Sequence, residues 1–299
     1  MVNRLQPQLK NAEEIKGVLK EISMPFQLHD GRVVRTLIVY LPIEDGKSSH
    51  SKFFEVVRDG LIANFVFSCS EVEKKLGVKN SNSAEELFKK AIRKLSKHTA
   101  KGELGELILF ALLDVYFQAP KILSKVSLKT SPKMPVYGAD AVHGQFENGK
   151  FKLYLGEAKL HKKFKPAAKD AADSMKKAKD AYAKEFDLLD SYMDFPDIDD
   201  ELETELLALL NPFSNKNVSE LIHSPCFIGF TEAELISQAT SEQEFMNNYI
   251  LLAGDYIADF FSKTESIQLS IDEVSLLMLP FSCIDELEKE FIEYMGIEE

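Results

Sequence analysis

Three side chains in one short stretch have the types and spacing to act on a phosphodiester: Asp140, Glu157 and Lys159, within GADAVHGQFENGKFKLYLGEAKL. Asn148-Gly149 in its middle is a strong hairpin signal, because both residues tolerate the positive φ of a two-residue type I′ turn. A regular hairpin about that turn sets Phe146 opposite Phe151, Gly144 opposite Leu153, Val142 opposite Leu155 and Asp140 opposite Glu157. Side chains alternate across a strand, so all four pairs share one face. That face runs apolar for three layers and then presents two carboxylates side by side. Directly opposed Cβ atoms lie ~5 Å apart, and like charges at that distance repel unless a cation intervenes. Lys159, two residues beyond Glu157, joins the same face. Paired carboxylates suit a hard divalent cation such as Mg²⁺, or Mn²⁺ in its place, which takes oxygen ligands and leaves room for water and substrate phosphate. A lysine at the rim can hold the attacking water and offset developing negative charge. This is the chemistry of phosphodiester hydrolysis. The opposite face carries Gln145 against Lys152 and His143 against Tyr154, and there His143 reads as structural.

The ExK spacing alone is weak evidence, since Glu14-Ile15-Lys16 shows it too, but only Glu157-Ala158-Lys159 follows a hairpin strand and has an aspartate opposite. The bland alternative is a salt-bridge cluster at a strand end. A third acid is expected from the helix before the hairpin. Glu103 and Glu106 in KGELGEL stand three apart and so share a helix face. Either can simply complement the helix dipole. Glu106, which abuts the apolar run, is the preferred functional acid, with Glu103 in reserve.

The elements that must position these residues are legible in outline. VVRTLIVYLPI (33–43) reads as a buried strand, and 53–70 as a short helix followed by a second strand-like run. Ser83 with Glu86 forms a capping box, which starts a helix near 84. That helical pattern runs to 117, with an interruption near HTAKG (98–102). After the hairpin come a lysine-rich helix (about 166–186), an acidic segment, strands at 224–231 and 274–281 separated by a helix over 241–262, and a closing helix. The order implies a mixed sheet with helices on both faces.

The chain has 299 residues and a net charge of −12, which is unfavourable for unaided binding to a polyanion. Charge is unevenly spread: nine lysines face three aspartates between Lys159 and Lys184, while ten acids and no base lie between Glu185 and Glu205. The first stretch reads as a basic ridge or a solvated helix, the second as an acidic loop that could dock on a basic partner or mask the cleft. Three widely spaced cysteines suggest neither disulfides nor a zinc site and favour reducing cytosol. No signal peptide is evident, and the longest apolar runs are too short to span a membrane. DGKSS (45–49) mimics part of a phosphate loop, but Leu41 stands where that loop needs its first glycine.

Taken together, Glu106 in GELGE, Asp140 in GAD and Glu157 with Lys159 in GEAK resemble the PD-(D/E)xK nuclease superfamily over about 98–285. The proline of the name is absent, since Ala139 precedes Asp140. More narrowly, KGELGELILFALL, GAD, GEAK, CFIGF and LLMLPF are similar to the HamA family, the nuclease-like effectors of Hachiman anti-phage defence, over the whole chain. The resemblance implies an α/β, restriction-endonuclease-like mixed sheet at 84–299 after a smaller α/β unit at 1–83. It implies metal binding by Asp140 and Glu157 with Glu106 completing the site, a water-assisting Lys159, DNA as substrate, and control by a HamB-type superfamily 2 helicase. His161, Lys162 and Lys163 follow the ExK strand and are candidates for phosphate contact by position and charge. The competing class is a non-catalytic nucleic-acid or protein-interaction module that retains the nuclease fold.

Overall fold

The computed structural model describes residues 5–76, 83–129, 131, 138–195, 198–211 and 218–298. Helix α1 (Ala12–Val18) leads into β1 (Lys20–Ile22), β2 (Phe26–Gln27) and β3 (Val33–Tyr40), where β1 and β2 both pair antiparallel with β3. A small separate hairpin follows, β4 (Ile43–Glu44) and β5 (Lys47–Ser48), turned by Asp45 and Gly46 at φ 49° and 72°. DGKSS is therefore a two-residue hairpin turn.

Residues 51–66 and 69–76 are helical: α2 (Ser51–Val56), a π-helical turn (Val57–Leu61), α3 (Ile62–Val66) and, after a break at Phe67, α4 (Cys69–Leu76). The strand-like run expected toward residue 70 is thus a helix. Phe53, Val57, Leu61, Ile62, Phe65 and Val66 are buried, a spacing of three to four that a short apolar run cannot by itself distinguish from a buried strand. α5 (Ser83–Ile92) starts at the position the Ser83–Glu86 spacing marks; the polar stretch at 77–82 lies outside the described residues. α6 (Ala100–Val115) follows after the expected interruption and is buried along nearly its whole length.

Next come β6 (Lys121–Leu123), β7 (Ala141–Glu147) and β8 (Lys150–His161). Asn148 and Gly149 turn the β7–β8 hairpin at φ 53° and 76°, and the register from Ala141↔Gly156 to Glu147↔Lys150 is the one the turn dictates. α7 (Phe164–Asp180) and α8 (Tyr182–Tyr192) cover the lysine-rich stretch. The acidic segment is not a loop. It holds the end of α8 and most of α9 (Asp200–Leu209), whose Leu202 and Leu206 pack with Leu189 against Val142, Leu153 and Leu155 of the hairpin. The chain ends with β9 (Ile222–Thr231), α10 (Ala233–Ser237), α11 (Glu242–Ser266), β10 (Val274–Phe281) and α12 (Ile284–Met295).

Seven strands run in the order β1-β3-β10-β9-β8-β7-β6, with β2 joining β3 as the eighth. The central β3, β10, β9 and β8 are parallel, and the flanking pairs antiparallel. β10 is buried at all eight positions, as expected for a parallel strand covered on both faces. α6 and α12 share one core cluster with Leu277 and Leu279; α7 and α11 share another with Leu276 and Met278. The boundary expected near residue 83 does not divide the sheet, since β3 from the N-terminal stretch lies directly on β10.

Candidate metal-dependent active site

Asp140 sits one residue before β7, where the regular ladder ends: its N–H donates to the Gly156 carbonyl, already opposite Ala141, at 2.9 Å, and its Oδ2 accepts from the Ala158 N–H at 2.8 Å. These two bonds bracket Glu157 and hold Asp140 beside it, close enough for the two carboxylates to repel. Glu157 is only 6% exposed. Lys159, on the same face of β8, donates to Glu157 Oε1. Burial, then the neighbouring Asp140, pushes the Glu157 carboxyl up to about 7, against the pull of Lys159 and a hydrogen bond from Ser174 on α7. Burial pulls the Lys159 ammonium down, but Glu157 and Asp140 outweigh it and leave its pKa raised.

Glu106 approaches from α6. Burial raises its carboxyl to about 8, with repulsion from Asp140 and Glu103 adding to the rise and Lys129 and Lys125 opposing it. α6 lies against β8 at Gly105, where an added Cβ would make ordinary contacts, 3.4 Å from Leu160 Cγ and 3.6 Å from Ala158 Cβ. Glu103 is committed elsewhere. It is buried, ion-paired with Lys129, and accepts from Thr99 Oγ1 at 2.8 Å, which ties the α5–α6 connection to the start of α6. The two acids of KGELGEL therefore divide: Glu103 fastens the helix start, and Glu106 feels the field of Asp140.

The arrangement concentrates acidic charge that a cation would relieve. Glu157 and Glu106 are shifted toward neutrality chiefly by burial, with Asp140 repelling each, and such a set of carboxyls fits a hard divalent ion. The fit is with a carboxylate pair rather than a finished cage, because among the described residues no three His, Cys, Asp or Glu side chains form a ready metal-binding group. Cys226, paired with Glu157 in the β8–β9 register, is buried with its thiol pushed well up, and so stays protonated. A family model, HamA, matches residues 19–295.

The chain belongs to the HamA family.

A comparison with curated proteins returned no match. HamA membership places the chain in Hachiman anti-phage defence. The motif residues Glu106, Asp140, Glu157 and Lys159 of this HamA chain all fall inside the matched span. Among the described residues no helix is long and apolar enough to cross a membrane.

Of the phosphate-contact candidates, His161 ends β8 and its Nδ1 accepts from the Lys163 N–H at 3.0 Å, Lys162 is ion-paired with Asp285 at 2.5 Å, and Lys163 is exposed at the start of α7. The lysine-rich ridge is partly spent, since Lys176 pairs with Asp180 and Lys179 with Glu273. Sequence reasoning missed Ser174, which looks like one more polar residue of an alanine-rich helix, and Lys129, which no motif marks.

Proposed function

We infer that this HamA chain is a metal-dependent DNA endonuclease, the effector of a Hachiman system, held in check by a HamB-type superfamily 2 helicase. The observation that carries the reading is the Asp140–Glu157 opposition with Lys159 beside it on β8. Asp140 and Glu157 would hold Mg²⁺, or Mn²⁺, with Glu106 supporting them from α6. Such a cation supplies Lewis-acid polarisation of the phosphate and eases deprotonation of water. Lys159 holds the attacking water beside phosphorus and stabilises the charge that develops on the phosphoryl oxygens. Ser174 fixes the Glu157 carboxylate from α7. The two bonds of Asp140, to the Gly156 carbonyl and from the Ala158 N–H, hold its carboxylate beside Glu157, so the pair is organised before substrate arrives.

A net charge of −12 agrees with a nuclease that a partner delivers to DNA. The helicase reading follows from the family. The test is cleavage of plasmid and single-stranded DNA by the purified chain, with and without the helicase, in Mg²⁺, Mn²⁺ or a chelator. Cleavage that needs metal and responds to the helicase supports the reading; chelator-insensitive cleavage contradicts it.

A second reading, a non-catalytic interaction module on the nuclease fold, is favoured by the ion pair that already engages Lys159 and by the lack of a finished three-acid cage among the described residues. Intact complex formation with the helicase, with no cleavage of any DNA in either metal, would select it.

A further inference from the structure

A one-sided basic run lies in the connection that leads into α6, the helix that carries Glu106. From Lys89 to Lys101 the sequence carries six Lys or Arg residues and His98, with no Asp or Glu. Arg93, Lys97 and His98 are exposed and Lys101 is half-buried. Among the described residues no ion pair engages Arg93, Lys97 or Lys101, in contrast to the lysines at 162, 176 and 179.

The connection is fixed in place. Ser96 is fully buried and its N–H donates to Glu103 Oε2 at 3.4 Å, the His98 N–H donates to Ser96 Oγ at 3.3 Å, and Lys94 Nζ donates to the Ser127 and Lys129 carbonyls at 3.4 and 3.3 Å. Lys101 stands one turn before Gly105, the residue at which α6 rests on Ala158 and Leu160, so it overlies the C-terminal end of β8. Its charge reaches Asp285, the partner of Lys162. Lys101 and Lys162 therefore share Asp285 as a neighbour, which brings the start of α6 and the β8–α7 turn together at one basic edge.

We propose that this rim, Arg93, Lys97, His98 and Lys101 together with Lys162 and Lys163, is the surface that grips the phosphate backbone of the DNA strand presented to Asp140 and Glu157. The proposal rests on the nuclease reading for the identity of the polyanion. An acidic body holds a polyanion best through a local patch of cations, and here Lys162 would exchange Asp285 for phosphate while Arg93, Lys97 and Lys101 have no ion pair to break among the described residues. This patch is pre-ordered, so its side chains need no backbone rearrangement to engage phosphates. Its backbone is tied to the same helix that carries Glu106, so a strand gripped there is placed against the acids.

The test uses the full-length chain carrying Glu157→Gln, so that DNA is not consumed, and a fluorescent oligothymidine and a short duplex as probes, titrated at several salt concentrations. Arg93→Glu with Lys97→Glu and Lys101→Gln should weaken binding by about 10-fold or more and lower the salt slope by roughly 2 on single strands. Lys97→Glu alone, fully exposed and so safe for folding, should shift both in the same direction, whereas Lys169→Glu on the outer side of α7 should stay within about twofold. Unchanged affinity and slope in the triple variant would overturn the proposal, as would failure of the parent chain to bind either probe at low salt. Loss of helicase association with DNA binding intact would also overturn it and assign the rim to a protein partner. Failure of the nuclease reading would show separately, as DNA binding that depends on the rim in a chain that cleaves nothing.

Discussion

At the residue scale, the chemistry concentrates in a few buried charges whose environments differ. Lys159→Met removes the one cation on the carboxylate face of β8, and cleavage should fall by about 100-fold or more, the size expected for losing one preorganised charge at the reacting phosphate. Ser174→Ala removes a single hydrogen bond to Glu157 and should cost only about 2- to 10-fold in rate, with rescue by Ser174→Thr; equal loss in both variants would instead indicate a packing role. Glu103 differs in kind. Glu103→Gln strands Lys129, whose side chain is 6% exposed, and should destabilise the fold by about 3 kcal/mol in denaturant titration. His143 sets an acid limit. It is buried, donates from Nδ1 to the Ala119 carbonyl at 2.7 Å, and burial holds its pKa down to about 3. The unfolded chain takes up this proton near pH 6.5 and the folded chain does not, so stability is lost progressively as pH falls from 6.5 toward 3. His143→Gln should flatten that part of the stability–pH curve.

At the level of elements, two glycines differ in the room they leave for a side chain. Gly229 in β9 has no room: a Cβ would lie 2.4 Å from Leu160 Cδ2 and 2.9 Å from Phe281 Cε2. Gly229→Ala should therefore cost about 1–3 kcal/mol through overpacking. Gly105→Ala makes only ordinary contacts with Leu160 and Ala158 and gains about 1 kcal/mol of helix propensity, so it should be neutral to slightly stabilising. Comparison of the two melting temperatures checks both. The hairpin was fully legible in the sequence, because an Asn-Gly turn fixes register and register fixes which residues face each other. The α2–α4 segment was not, because short apolar runs look alike whether they are buried as helix or strand. The acidic segment was misread for the complementary reason: its charges conceal Leu189, Leu202 and Leu206, which cover the hairpin core. Opposed acids on a hairpin can be read from local sequence. The Ser174 bond to Glu157 and the Lys129 pair with Glu103 depend on tertiary approach, which no local spacing encodes.

At the scale of the whole molecule, the sheet unites what the sequence separates. β3, from the N-terminal stretch, closes the parallel core against β10, the last strand of the chain, so truncation near residue 83 should yield an insoluble or aggregated remainder with an uncovered β10 edge. On the proposed function, the net charge of −12 and the proposed basic rim fit a nuclease that takes up DNA poorly until a partner brings the strand to it. The most direct measurement is plasmid cleavage in Mg²⁺ by the helicase-bound chain, comparing the native sequence with Glu157→Gln and Lys159→Met after confirming that all three fold and bind the partner equally. Metal-dependent cleavage by the native chain, lost in both variants, is the predicted result. Equal cleavage by all three would contradict the assignment of the site to Asp140, Glu157 and Lys159.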